Sequence, residues 1–319
     1  MLKPHVTKRL SFTPLAQQRF LPYNVLMLSY QHEYHAGNHA DILKHTCLLA
    51  ILRSLRKKDK PFTVIDCHAG AGRFRLDDER LVRTGEAQEG IIDLMTRSIH
   101  EMPPLLQDYV RLEKAYYAQG LYAGSPEIER LSLREGDALH LVEKHPAALE
   151  SLRTNVRQPL LDAGKGASDN ERRCPVRADV REDDSYAALK ALCPPPVKRG
   201  LVLIDPSYED AEDYTRVRDA VEGVITKWNT AVIAVWYPLL VRRKNETAKL
   251  LSSLEDYAKM QTVPRETLRI QAAVRSAEAM TEEAGSHLYG SGMFIVNPPW
   301  KLKEEMEEVV SYLEKNLRK

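Results

Sequence analysis

Apolar positions along this chain repeat with two different periods. Ile42, Leu43, Leu48, Leu49, Leu52 and Leu55 recur at helical spacing, so a helix is predicted over 38–56. Asn38 stands where a cap belongs, with Asp41 three positions on. Helices are also predicted over about 146–156, over 186–192, where Cys193-Pro-Pro-Pro196 stops the helix, and over 302–317. Short apolar runs predict strands at 62–66, 139–142, 200–204, 231–236, 268–274 and 293–296, and 200–204 reads most clearly as a buried one. Residues 76–118 are charged and aperiodic, then helical, without a convincing strand, and read as a small helical insertion. Residues 162–173, rich in Gly, Asp and Arg, read as an exposed loop. Strands alternating with helices predict an α/β fold with a doubly wound, mostly parallel sheet.

Composition narrows the picture without redirecting it. The 319 residues are 43% hydrophobic, ordinary for a globular chain, and 46 basic against 45 acidic side chains leave a net charge of +1. That excludes a polybasic tail but allows a local basic patch. No run approaches a membrane span. Cys47, Cys67, Cys174 and Cys193 form no CxxC pair, so reduced thiols in a cytosol-like compartment are expected. Residues 1–26 carry Lys3, Lys8, Arg9 and Arg19, and the first acid is Glu33. This segment reads as a disordered extension, as the result of a start codon read too far upstream of Met27, or as an organelle transit peptide. The expected location is cytoplasmic, or a mitochondrial or other organelle matrix in the last case.

Ligands of doubly wound sheets bind at the carboxyl ends of the strands. Four segments place chemistry there. His68-Ala-Gly-Ala-Gly72 lets backbone approach a ligand, though such a turn also serves dinucleotide enzymes. Glu143 can accept ribose hydroxyls or stand as a solvated charge. Asp184 can meet the adenine of a cofactor, or Asp183-Asp184-Ser185 can simply cap a helix. The fourth segment, Ile204-Asp-Pro-Ser-Tyr208, is the most informative. A rigid Pro206 lets the Asp205 carboxylate and its own carbonyl face one amino group, and the Tyr208 ring is expected to stack on an extruded base. Two fixed acceptors would turn the lone pair of an aniline-like amine towards a sulfonium methyl group.

Taken together, Met27-Leu-Ser-Tyr-Gln-His-Glu-Tyr-His-Ala-Gly-Asn-His-Ala-Asp-Ile-Leu-Lys-His45, His68-Ala-Gly-Ala-Gly72, Gly124-Ser-Pro126, Asp205-Pro-Ser-Tyr208 and Asn297-Pro-Pro-Trp300 resemble the bacterial 23S ribosomal RNA adenine-N6 methyltransferase family, from Met27 almost to the C-terminus. The resemblance implies a Rossmann-like methyltransferase domain over 27–319 with the helical insertion at about 76–118. It also implies a monomer without metal, S-adenosyl-L-methionine as cofactor, and large-subunit ribosomal RNA, free or partly assembled, as substrate. It assigns cofactor contacts to His45, His68, Ser125, Glu143, Asp184, Ser185 and Asp205. Catalysis falls to Asp205, Pro206 and Tyr208, and an RNA contact to Tyr30. Two positions depart from the family: Ser185 where it has Gly, and Ser207 where it has a second Pro. The extension before Met27 and the loop at 162–173 have no counterpart in the family core. Guanine-N2 and protein-glutamine methylation are the rival activities; Asp205 argues against the glutamine enzymes, which favour Asn-Pro-Pro-Tyr. A cofactor-binding assembly factor without turnover is a third alternative, favoured only by Ser207. The histidines 32, 35, 39 and 45 crowd together, yet no Cys or acidic pair completes a metal set. Arg53, Arg56, Lys57, Lys58 and Lys60 read either as RNA contacts or as a solvated helix face.

Overall fold

Where helical period and cap coincide, the chain is helical: α1 (His39–Arg56) starts after Asn38, whose side chain accepts the backbone N–H groups of Ala40 and Asp41. Two of the four donors that every helix start leaves open are thereby satisfied. The computed structural model describes residues 34–161, 173–276 and 288–317. The expectations for residues 1–26, for Tyr30 and His32, and for most of the 162–173 loop therefore lie outside the described residues. None of the described helices is long and apolar enough to cross a membrane.

After α1 come β1 (Thr63–Asp66) and a small antiparallel pair of strands that brackets a run of helices. The pair consists of β2 (Arg73–Arg75) and, beyond α2 (Glu79–Thr84), α3 (Asp93–Thr96) and α4 (Pro104–Tyr117), of β3 (Leu121–Ala123). Then α5 (Ser125–Ser132), β4 (Ala138–Val142), α6 (Pro146–Asn155), β5 (Asp179–Arg181), α7 (Ser185–Leu192) and β6 (Gly200–Ile204) alternate. The rest is α8 (Ala211–Lys227), β7 (Val232–Leu240), α9 (Lys244–Lys259), β8 (Thr267–Ala273), β9 (Leu288–Val296) and α10 (Leu302–Asn316).

Seven strands form one sheet in the order β5-β4-β1-β6-β7-β9-β8. Only β9 runs against its neighbours, antiparallel to both β7 and β8. The mostly parallel, doubly wound α/β architecture is thus as the alternating pattern implied. Successive residues of β6 enter opposite faces of the sheet. Leu201 and Leu203 join the core under α1, α4 and α10. Val202 and Ile204 join the core under α7, α8 and α9. A strand buried on both sides has no polar alternation, which is why 200–204 reads as a continuous apolar run.

Several elements escape the apolar pattern, the paired strands β2 and β3 and the helices α5, α8 and α9 among them. β5 is Asp-Val-Arg, half-buried throughout at the sheet edge. β7 and β9 extend to nine residues, past the expected 231–236 and 293–296, because their ladder continues across Pro238 and the Gly290-Ser-Gly292 stretch. The order of strands reverses at β1, between β4 and β6. A crevice opens at such a switch point, and the three strands end there at Asp66, Val142 and Ile204.

Candidate functional site

The residues immediately beyond those strand ends are tied into one polar chain. Ser125 Oγ, at the start of α5, donates to Asp66 Oδ2 at 2.7 Å, and the His68 N–H donates to Asp66 Oδ1 at 3.0 Å. His68 Nδ1 accepts the Asp205 N–H at 3.2 Å. Asp205 Oδ2 accepts from Lys44 Nζ at 2.5 Å, and Lys44 also lies 2.8 Å from Asp41 Oδ1. Asp41 Oδ2 in turn accepts the Gly37 N–H at 2.9 Å. One network thus holds α1, β1 and β6 in register at the switch point.

Charge in this network is balanced at Lys44. Its side chain is only 5% exposed, and burial works against the ammonium, but Asp205 and Asp41 outweigh that penalty and hold its pKa above the ordinary lysine value. His68 is shifted the other way. Desolvation takes it down to about 4, so the imidazole is neutral near pH 7. With Nδ1 accepting from Asp205, the ring proton resides on Nε2, which is then a donor. Burial pushes the Asp66 carboxyl up to about 6, against the hydrogen bonds from Ser125 and His68.

The glycine turn between β1 and β2 closes against the end of β4. Gly70 and Gly72 adopt φ of +60° and +77°, a region that side-chain-bearing residues rarely enter. Glu143 accepts the Gly70 N–H at 2.8 Å and the His145 N–H at 2.6 Å, one on each oxygen. Each oxygen keeps a second lone pair for a ligand hydroxyl.

Asp184 sits as the N-cap of α7, accepting from the Tyr186 and Ala187 N–H groups, while Arg216 takes its other oxygen at 2.8 Å. Burial opposes its charge, but the Ala187 N–H and Arg216 hold its pKa below the usual carboxylate range. The helix-cap reading of Asp184 is realised, and Ser185 follows it, buried, as the first residue of α7. Tyr186 packs edge-on to His68 at 5.8 Å, and its buried hydroxyl has no partner among the described residues.

His45 is buried beside Lys44 on α1, and its Nδ1 meets the Tyr122 hydroxyl at 2.9 Å. Tyr122 meets Tyr109 at 3.0 Å, so His45 links α1 to both β3 and α4 of the insertion. His35 bonds Glu86, and burial lowers His39 to about 4. Among the described residues no three metal-ligating side chains gather.

Tyr208 corrects an expectation. It is 1% exposed, its ring lies 4.7 Å from that of Tyr214 and 6.0 Å from that of Trp236, and its hydroxyl donates to the Trp236 carbonyl at 2.9 Å. The ring therefore offers no open face to a base. The physical reason lies in the backbone: Tyr208 has φ of +53°, which turns its side chain into the core. Such a conformation costs on the order of 1–3 kcal/mol and persists only where packing over-determines it. Asp205 and Pro206 differ from it. Asp205 is 15% exposed, and among the described residues Lys44 is the only partner of its carboxylate and the Pro206 carbonyl accepts no hydrogen bond.

Sequence reasoning passed over Lys44 and Asp66. The i, i+3 pair of Asp41 and Lys44 is visible in the sequence, but Asp205 is 161 residues away from Lys44. The basic cluster from Arg53 to Lys60 begins nine residues beyond Lys44 along α1, about 14 Å at helical rise. Arg53 in that cluster is already paired with Asp108 at 2.5 Å.

A family model described as ribosomal RNA large subunit methyltransferase D, RlmJ, matches residues 59–319. The chain is 38% identical over 294 residues to the ribosomal RNA large subunit methyltransferase J of Escherichia coli, covering 91% of this chain and 94% of that one. It is 38% identical over 295 residues to the protein of the same name from Haemophilus influenzae, with the same coverage. A crystal structure of a Legionella pneumophila protein superposes with a TM-score of 0.72 at 29% identity, covering 89% of this chain and 94% of that one.

Proposed function

The chain belongs to the family of ribosomal RNA large subunit methyltransferases described as RlmJ, and on that premise we propose that it transfers a methyl group from S-adenosyl-L-methionine to the N6 amine of an adenine in large-subunit (23S) ribosomal RNA. The observation that carries the reading is Asp205: one oxygen is pinned by Lys44, and among the described residues neither the other oxygen nor the Pro206 carbonyl that follows has a hydrogen-bond partner.

The residues fit the cofactor. A glycine turn with positive φ, the Glu143 carboxylate on the Gly70 N–H and the Nε2–H donor of His68 all follow strand ends at the switch point, which supports this reading. In this reading Glu143 takes the ribose, Asp184 and Ser185 line the adenine side, and His68, Ser125 and His45 frame the remainder, directly or through Asp66 and Tyr122. When bound, S-adenosyl-L-methionine supplies an electrophilic methyl on its sulfonium.

The chain's own part is to prepare the nucleophile. An exocyclic adenine amine is weakly nucleophilic because its lone pair is delocalised into the ring. Asp205 Oδ1 and the Pro206 carbonyl accept its two N–H hydrogens, fixing its orientation, and such positioning is worth several kcal/mol of barrier. After transfer the amine carries one proton too many, and Asp205 is placed to take it. Lys44 compensates the charge of Asp205 and holds the carboxylate still. Tyr208 acts as a positioning residue that locks the loop from beneath.

The substrate is read as free or partly assembled RNA, acted on by a monomer in the cytoplasm, where ribosomes are made. Calorimetry on chelator-treated protein tests the cofactor half of the proposal. Binding of S-adenosyl-L-methionine and its demethylated product without metal is expected, weakened at least tenfold by Glu143→Ala. No binding at millimolar ligand with the fold intact contradicts it.

A further inference from the structure

Most arginines among the described residues have a carboxylate partner, including Arg53, Arg73, Arg97, Arg134, Arg216 and Arg275. Three that lack one gather in one place. Arg157, Arg173 and Arg177 are exposed and line an open cleft of about 770 Å³ between the C-terminal end of α6 and the segment leading into β5. Arg153, on the same wall, has only a 3.4 Å contact with the exposed Glu182. Among the described residues the one acid in the lining, Asp179, is already taken by His140 and Arg181, at 2.9 and 2.8 Å. The cleft thus concentrates positive charge on a chain whose net charge is only +1. Like charges repel, so a fold that gathers three unpaired guanidinium groups spends stability on them, and a polyanion would repay that cost.

The wall is rigid and connected to the site. Arg130, held by the buried Glu127, donates to the Asn155 and Gln158 carbonyls and so fixes the end of α6. Asn155 donates to the Ala71 carbonyl of the glycine turn at 2.8 Å. Whatever occupies the cleft therefore lies against elements that also form the crevice at β1. Guanidinium groups suit phosphate, which they bind in forked geometry.

We infer that this arginine cleft is an RNA-docking surface that grips the phosphodiester backbone of the substrate. The inference rests on the RNA reading given above and adds to it where the RNA lies. Phosphate contacts of this kind carry no base preference and make affinity depend steeply on salt, with a slope near 0.7–0.9 per contact.

The test uses the full chain and a protein-free 23S rRNA fragment. The triple variant Arg157→Ala/Arg173→Ala/Arg177→Ala should raise the KM for RNA on the order of 10–100-fold at 0.15 M salt and lower the salt slope of fragment binding by about 2–3. Its kcat at saturating RNA and its affinity for S-adenosyl-L-methionine should stay at wild-type values. The triple Lys variant, which keeps the charge, should recover most of the slope. Unchanged RNA affinity and slope in the Ala triple, with active wild type, overturn the cleft assignment and leave the methyltransferase reading intact. Loss of cofactor affinity in the Ala triple also overturns it, since the arginines would then serve the crevice. A wild type that binds RNA through the cleft but transfers no methyl group would overturn the proposed function instead.

Discussion

Replacing Lys44 by Met removes a cation from between the buried Asp41 and the partly buried Asp205 carboxylates while keeping most of the side chain's length. Lys44 is 5% exposed, Asp41 3% and Asp205 15%, with contacts of 2.8 and 2.5 Å. Removing one partner of a buried pair typically costs about 3–5 kcal/mol, because the remaining charge is left uncompensated. With an unfolding entropy of roughly 2.1 cal/mol/K per residue, that is a fall in Tm of about 4–8 °C for a chain of this length. Asp205→Asn alone should cost less, since its amide still offers an oxygen to Lys44 and it is the most exposed of the three. The double variant Lys44→Met/Asp205→Asn should be more stable than the sum of the two effects implies, by about 1–3 kcal/mol. Thermal and urea unfolding of all four proteins measure the cycle. Methyl transfer should be lost or severely reduced in both single variants, and not restored in the double. Additive stabilities, or a Lys44→Met protein that melts with wild type, would refute the claim that Lys44 is the charge partner of Asp205.

Three further outcomes follow from the same geometry. Tyr208→Phe, which base stacking would tolerate, should instead cost about 1–2 kcal/mol and slow transfer, because the Trp236 carbonyl loses its donor; a variant equal to wild type in urea unfolding and in rate contradicts this. The neutral His68, with pKa lowered to about 4, contributes stability that is lost as pH falls from about 6.5 through 4, since the unfolded chain takes up the proton first; the stability gap between wild type and His68→Gln should shrink by roughly 2–3 kcal/mol over that range, and a pH-independent gap contradicts it. Ser207→Pro should be neutral or raise the single-turnover rate a few-fold, since a proline of compatible geometry contributes about 0.4–1 kcal/mol of pre-organisation; a tenfold slower variant, or an inactive wild type that the proline revives, contradicts the view that this chain turns over as it stands.

Much of the framework is legible in the sequence because local signals and global packing agree there. The cap at Asn38, the apolar period of α1 and the doubly buried run of β6 each state their structure within a few residues. The acids after β4 and β6 are legible for the same reason, since strand ends mark where ligands bind. What escapes is anything fixed by a distant partner or by backbone conformation. Lys44 looks like an ordinary i, i+3 neighbour of Asp41 until the fold brings Asp205 to it. Asp66 reads as a strand end, although it positions both Ser125 and His68. Tyr208 suggests stacking from its neighbours in sequence, but a left-handed backbone turns it inward. The arginines of the cleft, Arg157, Arg173 and Arg177, are spread along the sequence, and no local pattern announces that they meet.

The central claim is that Asp205 and Pro206 present an adenine amine for methylation in large-subunit RNA. It is tested most directly by giving the protein labelled S-adenosyl-L-methionine and protein-free 23S rRNA, digesting the product to nucleosides and identifying the one that carries the label. Wild type should place the label on N6-methyladenosine alone. Asp205→Ala should place none, while its calorimetric affinity for the demethylated cofactor stays within a few-fold of wild type. Label in N2-methylguanosine or in protein, or wild-type transfer by Asp205→Ala, would contradict the account.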